Sequence, residues 1–400
     1  MPAERRGPSR RQLLVGGAVA GAGAVAAVGV DAWTRRSSDA ADQHTPGQVA
    51  TSEQLTGEET LPFYGEHQSG IDTPPQAHTT LLAVDLLPET DREALGRMMR
   101  LLTDDAARLT QGRAALADSE PELAVLPARL TVTFGFGPEL VRRADPDAAP
   151  SWLHPLPAFG VDRLEERWSH GDLLLQVAAD DPLTVAHAVR MLRKDLRSFT
   201  TVRWVQTGFR RARGSEAAGT TMRNLFGQVD GTVNPVPGTA DFDQVVWDAN
   251  GWTSLVLRRI RMELDTWDQL DRDGREQSTG RFLANGAPLT GTREHDEPDF
   301  EATTAVGFPV IAEYAHIRRA RSDDTRQRIF RRGYNYDDAT ESGLLFISFQ
   351  ADVDAQFVPL QRRLDELDLL NEWTTPTGSA VFAIPPGCEE GGYIGEGLLS

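Results

Sequence analysis

Strand and helix patterns follow one another in the same order twice in the first half of this chain. Apolar residues predict a strand, a helix and a strand at 79–87, 91–111 and 128–136, and again at 172–178, 182–196 and 202–208. The order β-α-β, β-α-β is that of a split β-α-β unit, in which helices cover one face of an antiparallel sheet. We therefore predict an α+β domain of the ferredoxin-like type.

The second half repeats this plan after a long irregular stretch. Strands are predicted at 254–262, 327–336, 343–351 and 380–384, and helices at 263–272 and 357–369. A duplicated ferredoxin-like fold is the simplest interpretation of the two halves. Two irregular regions, 211–237 and 273–324, separate the regular elements. Because long loops in compact domains are commonly functional, we expect the site residues there.

The length of the chain agrees with two domains and a tail. At about 150 residues per domain, 400 residues hold about two domains. We assign residues 1–60 to a signal and a flexible leader, since 31–60 is polar and has no apolar period. Residues 61–215 are predicted to form the N-terminal ferredoxin-like domain and residues 216–400 the C-terminal one.

Charge and cysteine content exclude several classes of protein. The chain has 41 Lys and Arg against 59 Asp and Glu, which gives a net charge of −18. An acidic protein repels phosphate backbones, so we predict no nucleic-acid partner. Cys388 is the single cysteine, so neither an intramolecular disulfide nor a cysteine-based zinc site can form. Any metal is therefore held by histidine or carboxylates, or inside a cofactor.

The N-terminus has the layout of an export signal. Arg5, Arg6, Arg10 and Arg11 precede an uncharged segment, 13–30, in which eleven of 18 residues are Gly or Ala. The paired arginines resemble a twin-arginine signal, which exports folded proteins. The alternative is a membrane anchor, for which 18 residues is just long enough, but the mild hydrophobicity argues against it. We expect the twin-arginine export machinery to deliver the protein to the periplasm, the cell envelope or the medium.

One loop segment, 224–235, presents an acid between two glycines. Asp230 follows Gly227 and precedes Gly231, and glycines on both sides let the backbone bend and approach a flat ligand closely. Turn chemistry taken by itself predicts no more than an ordinary Asp-Gly turn.

Residues 226–231 resemble the GxxDG signature of the dye-decolorising (DyP-type) haem peroxidases. Further matches lie at 63–71, 331–334 and 371–375, so the resemblance covers residues 61–387. The N-terminal signal and the segment 63–71 look most like the exported branch, which includes the deferrochelatase/peroxidase of iron-uptake systems. The resemblance implies two ferredoxin-like domains with haem b in the C-terminal one.

The family resemblance also implies the iron ligand. His316 matches the proximal haem ligand of the family, whereas a lone histidine without this context is usually structural. A neutral imidazole ligates iron well when its other ring nitrogen has an acceptor. A carboxylate in the segment 365–372 is one candidate acceptor, and the choice stays open.

The remaining site residues come from the same resemblance. Asp230 and Arg331 match the distal pair, and Arg331 is a better match than Arg332. A guanidinium keeps its charge at any working pH and can stabilise an anionic peroxide. Phe346 resembles an aromatic residue of the distal pocket, although an ordinary core position is nearly as good an interpretation. The flanking glycines are predicted to contact the cofactor.

The resemblance implies a haem b peroxidase that oxidises phenolic or dye-like reductants with hydrogen peroxide. In this interpretation Asp230 relays a proton, Arg331 stabilises the peroxide and His316 binds iron. The alternative is a haem-handling protein of an iron-uptake system with iron-uptake partners, which removes iron from haem or oxidises porphyrinogen or ferrous iron. A third class is a non-enzymatic haem-binding protein, which would need neither Asp230 nor Arg331. The oligomeric state, a homo-oligomer included, stays open.

Overall fold

The computed structural model of the chain describes residues 55–400. The strands there are β1 His78–Leu86, β2 Thr131–Phe136, β3 Leu173–Ala179, β4 Thr200–Phe209, β5 Thr253–Met262, β6 Phe330–Arg331, β7 Tyr334–Asp337, β8 Ser342–Gln350 and β9 Thr374–Ile384. The α-helices there are α1 Arg92–Thr110, α2 Pro138–Ala144, α3 Pro182–Leu196, α4 Ala240–Val246, α5 Leu264–Trp267, α6 Arg272–Thr279, α7 His316–Arg319, α8 Val358–Leu367 and α9 Glu396–Leu399. The predicted export signal lies outside the described residues.

Both halves of the described chain have the same strand order. In the first half the order is β4-β1-β3-β2, and Leu82 of β1 lies opposite Leu175 of β3 and Val205 of β4. In the second half the order is β9-β5-β8-β7, with β5 paired to both β9 and β8. All these pairs are antiparallel. The predicted duplication of a ferredoxin-like α+β fold is therefore confirmed.

The two sheets join at their edges. Phe136 of β2 pairs with Ala383 of β9, and Phe209 of β4 pairs with Asn335 of β7. Each junction is a single residue pair. Between the sheets lies a shared apolar core with residues from both halves, among them Leu81, Leu174, Leu255, Ile347 and Phe382. Both faces of β1 are buried because Leu82 and Val84 point instead toward the helices.

The two predicted helices of the first half form where the sequence predicts them, as α1 and α3, whereas the short helix α2 was not predicted. The Asp91 side chain caps α1 by accepting a hydrogen bond from the Ala94 amide at 2.8 Å, and Asp181 caps α3 through Thr184 at 2.8 Å. Such a cap contributes about 1 kcal/mol to stability. The buried face of α1 includes Leu95 and Met99, one turn apart, as expected for a helix packed on a sheet.

Three predicted elements of the second half have different bounds in the structure. The predicted strand 327–336 is wrong as a single strand, because it is divided into β6 and β7. Arg332 between them is buried and donates hydrogen bonds to the carbonyl groups of Ile71 and Thr73. The predicted helix 263–272 is replaced by α5 and α6, since the Asp271 side chain caps a new helix at Gly274.

The last strand begins earlier than the sequence predicts. β9 starts at Thr374, and Pro376 lies beside a register shift between Arg259 and Ile260 of β5. Proline is tolerated in a strand at such an irregularity, which explains why the composition of this segment did not predict a strand. Within residues 55–400, no helix combines the length and the hydropathy needed to cross a membrane.

Candidate active site

A cavity of about 490 Å³ lies in the second half of the described chain. Its wall combines the two irregular regions with the sheet and α8. Apolar side chains that line it include Ile260, Met262, Leu344, Leu360 and Leu364. The volume, and a wall in which apolar side chains alternate with polar and charged ones, suit a ligand or cofactor pocket.

Of the predicted site residues, five line this one cavity: Asp230, Gly231, His316, Arg331 and Phe346. They come from four separate parts of the sequence, the loop around residue 230, α7, β6 and β8. Gly227 does not line the cavity. Its φ of +80° instead allows the turn that precedes Asp230, so the structure gives it a conformational part rather than a place in the wall.

Local hydrogen bonds shape the loop that carries Asp230. The Asn224 side chain accepts from the amides of Phe226 and Gln228 at 3.1 and 3.2 Å, which closes a tight turn. The Asp230 amide donates to the Met222 carbonyl at 2.8 Å. Gly231 then has a φ of +131°, a conformation open to glycine and strained for other residues. The loop therefore projects Asp230 from a fixed backbone.

Asp230 and Arg331 form an ion pair in the cavity wall. Arg331 Nη1 donates to Asp230 Oδ1 at 2.7 Å, and the two side chains are 24% and 19% exposed. The second oxygen of the carboxylate, Oδ2, lies 3.5 Å from Asn224 Nδ2. One carboxylate oxygen is thus held by the guanidinium, and the other has, among the described residues, only the long contact with Asn224.

His316 stands at the start of α7 and is held by Asp368. Its Nδ1 lies 2.6 Å from Asp368 Oδ2, and the Asp368 side chain is 4% exposed. Burial lowers the pKa of His316, but the adjacent Asp368 carboxylate more than offsets that effect, so the pKa is raised. Asp368 lies within the segment that the sequence offered as the source of an acceptor.

A loop from the first half of the chain closes part of the cavity. Val161 belongs to the wall, and the neighbouring Asp162 pairs with the buried Arg258 of β5. The Asp365 side chain accepts from the amides of Gly160 and Val161, both at 2.9 Å. The sequence pattern predicted none of these contacts, since they join positions about a hundred or more residues apart.

The donor set fits a haem. No group of three or more His, Cys, Asp or Glu side chains that could hold a metal ion occurs in residues 55–400. One imidazole, His316, faces the cavity with Nδ1 already bonded to Asp368, which leaves Nε2 for a metal. A single imidazole suffices when a macrocycle provides the other iron ligands. The fold, the cavity and this imidazole fit a haem-dependent oxidoreductase.

Comparison with known proteins gives the family. The family model described as Dyp-type peroxidase, C-terminal matches residues 221–389, and that of the N-terminal part matches residues 68–210. The chain belongs to the DyP-type peroxidase family, and it is a haem-dependent peroxidase. The predicted domain boundary after residue 215 falls between the two matches and stays a prediction.

Individual relatives are similar over nearly the whole chain. A dye-decolorizing peroxidase of Thermobifida fusca is 37% identical over 99% of this chain and 98% of its own length. A deferrochelatase of Escherichia coli is 35% identical over 98% and 97%. The crystal structure of a DyP-type peroxidase from Cellulomonas bogoriensis superposes with a TM-score of 0.84 at 53% identity, covering 87% of this chain and all of that one.

Proposed function

We propose that the protein reduces hydrogen peroxide at this cavity and oxidises phenolic or dye-like reductants. The observation that carries the proposal is the Asp230–Arg331 ion pair in the same cavity wall as the Asp368-bound His316. When bound, haem supplies the iron at which the O–O bond of peroxide is cleaved. His316 would hold that iron through Nε2.

The side chains of the ion pair have separate tasks in this proposal. Asp230 Oδ2, the oxygen that Arg331 does not engage, takes a proton from one peroxide oxygen and returns it to the other, which leaves as water. The Arg331 guanidinium stabilises the negative charge of the peroxide while the proton is on Asp230. A binding protein without catalysis would need neither group.

The test is the reaction of the haem-loaded protein with peroxide, followed by rapid mixing. Asp230→Asn preserves the shape of the side chain and removes its basicity, so we expect the reaction to slow about 100-fold or more while the Soret band is retained. The matched control is Asp243→Asn, the same change at an exposed position of α4, which should react like the native protein. A native rate for Asp230→Asn would contradict the proton-relay role.

A second function is favoured by the similarity to deferrochelatase over almost the full chain. In this alternative the same cavity receives haem as a substrate and releases its iron, as part of an iron-uptake system. The two functions are separated by incubating the purified protein with excess haem and measuring free protoporphyrin by fluorescence. Porphyrin formed catalytically favours the second function, whereas haem retained intact favours the first.

We also propose export by the twin-arginine route, supported by the paired arginines before the uncharged segment 13–30. Replacing Arg10 and Arg11 together by lysine should leave the haem-loaded protein in the cytoplasm. The same double change at Arg5 and Arg6 is the control, because it keeps the charge pattern and spares the twin pair. Equal export of both variants would exclude this route.

A further inference from the structure

The backbone of Arg331 has one free side. β6 is an edge strand of only two residues, paired on one side with β8. The Arg332 amide bonds to the Ile347 carbonyl of β8, so the Arg331 amide and carbonyl point the other way. Edge groups of this kind need a partner when water is scarce.

The side chain of Asn234 supplies that partner. Its Nδ2 donates to the Arg331 carbonyl at 2.6 Å, and its Oδ1 accepts from the Arg331 amide at 3.0 Å. A side-chain amide thus makes both hydrogen bonds that a paired strand residue would make. The contact is specific for asparagine, because it needs one donor and one acceptor at this length.

This contact closes a ring with the catalytic pair. Asp230 directly precedes the tight turn 231–234, in which the Asn234 amide donates to the Gly231 carbonyl at 3.0 Å. Asp230 holds the side chain of Arg331 and Asn234 holds its backbone. The turn and β6 are therefore joined at two points, and the Asp230–Arg331 distance depends on both.

The outer side of the same turn is held independently. The Glu294 carboxylate accepts from Thr232 Oγ1 at 3.1 Å and from Thr221 Oγ1 at 2.5 Å. These bonds keep the turn formed, but they do not reach β6. The alignment of the turn with the backbone of Arg331 consequently depends on Asn234, since Asp230 contacts only the Arg331 side chain.

We propose that Asn234 is a positioning residue, which fixes the Asp230 carboxylate against the Arg331 guanidinium by bonding the free edge of β6. The inference rests on the proposed function of that pair. Misplacement of a reacting group by about 1 Å can slow an enzyme about 100-fold. Loss of Asn234, whose two polar side-chain atoms are both bonded to the Arg331 backbone, should therefore affect catalysis while Asp230 and Arg331 are both retained.

The first measurement is hydrogen exchange and does not depend on activity. In Asn234→Ala the Arg331 amide loses its acceptor, so its exchange, resolved by mass spectrometry of peptides spanning 328–334, should accelerate about tenfold in the haem-loaded and the haem-free protein. Asn234→Asp keeps the acceptor and loses the donor, so this amide should exchange nearly as slowly as in the native protein. Asn250→Ala, at an exposed position, is the control and should change nothing.

The second measurement is the rate of the peroxide reaction in the same variants. We expect Asn234→Ala and Asn234→Asp to slow it about 10- to 100-fold with an unchanged Soret band. Faster exchange of the Arg331 amide together with a native rate of the peroxide reaction would mean that Asn234 has only a structural role, and it would overturn the inference. A native rate in Asp230→Asn as well would instead overturn the proposed function, so the two failures are distinguishable. If Asn234→Ala does not fold, the rate of Asn234→Asp is the test: a slowed peroxide reaction supports the positioning role and a native rate overturns it.

Discussion

His316 Nδ1 lies 2.6 Å from Asp368 Oδ2, and the other oxygen of that carboxylate accepts from the Leu370 amide at 3.0 Å. Asp368 is thus oriented by the backbone that follows α8, and it orients the imidazole in turn. A carboxylate in this position makes the ring a stronger electron donor to a metal on Nε2. We therefore expect the pair to set both the affinity for iron and the electron density at the iron when haem is bound.

Replacement of Asp368 by asparagine should weaken haem binding. The amide oxygen can still accept from Nδ1, so the ring orientation is kept while the negative charge is lost. We expect haem to transfer to apomyoglobin about 10- to 100-fold faster and the reduction potential to become more positive. The control is Glu372→Gln, an exposed carboxylate four residues on. Native values for both properties in Asp368→Asn would show that the carboxylate does not tune the ligand.

Removal of the Arg331 guanidinium should slow the reaction with peroxide. Arg331→Ala loses the charge that faces the peroxide and frees Asp230 Oδ1, so we expect a rate about 100-fold lower. Arg331→Lys keeps the positive charge but loses the planar guanidinium. Its rate should therefore lie between that of Arg331→Ala and that of the native protein. The comparison is Arg326→Ala, an exposed arginine whose side chain is 86% accessible, which should react at the native rate. Equal rates for Arg331→Ala and Arg326→Ala would exclude the assigned role.

The first half of the fold could be predicted closely because its signals are local. The strands are apolar or alternating segments, and the two long helices, α1 and α3, each have a capping aspartate and an apolar face. The second half was less predictable because its boundaries depend on distant contacts. Arg332 interrupts the strand 327–336 only because it binds backbone carbonyls near Ile71, some 260 residues away in sequence.

The site residues could be predicted from the resemblance to a known family, but not from the periodicity of the sequence. Asp230 and Arg331 are 101 residues apart, and no periodicity relates them. The acceptor for His316 could be placed in the segment 365–372, but Asp368 could not be singled out. Several acids share that segment, and only packing determines which of them contacts His316. Asn234 reads as an ordinary turn residue in the sequence, because its bond to Arg331 depends on where the edge of β6 lies.

Replacement of Phe346 tests whether this side chain limits access to the cavity. It lines the cavity, lies opposite Arg258 in the β5–β8 pairing and packs against Phe357 with ring centroids 6.0 Å apart. If it limits access, Phe346→Ala should raise the affinity for imidazole relative to cyanide, both measured by Soret titration, about tenfold. If it is an ordinary core residue, the melting temperature should fall and the ratio of the two affinities should stay native.

A buried acid pair in the first half predicts how stability depends on pH. Asp105 of α1 and Asp195 of α3 are both buried, and each has a carboxylate oxygen without a hydrogen-bond partner in the described part of the chain. Burial, together with the charge of Asp105, raises the pKa of Asp195 to about 8. The folded protein therefore keeps a proton on Asp195 that the unfolded chain releases near pH 4.

Because the folded state binds this proton more tightly, the stabilisation it brings is complete below about pH 4 and is lost as pH rises toward 8. Asp195→Asn removes the titration, so its melting temperature should exceed that of the native protein by about 2 °C or more at pH 8, with a smaller difference at pH 5. Asp147→Asn, at an exposed position, serves as the control. The measurement is thermal unfolding followed by circular dichroism across this pH range. Parallel curves of melting temperature against pH for the native protein and Asp195→Asn would mean that Asp195 does not titrate there.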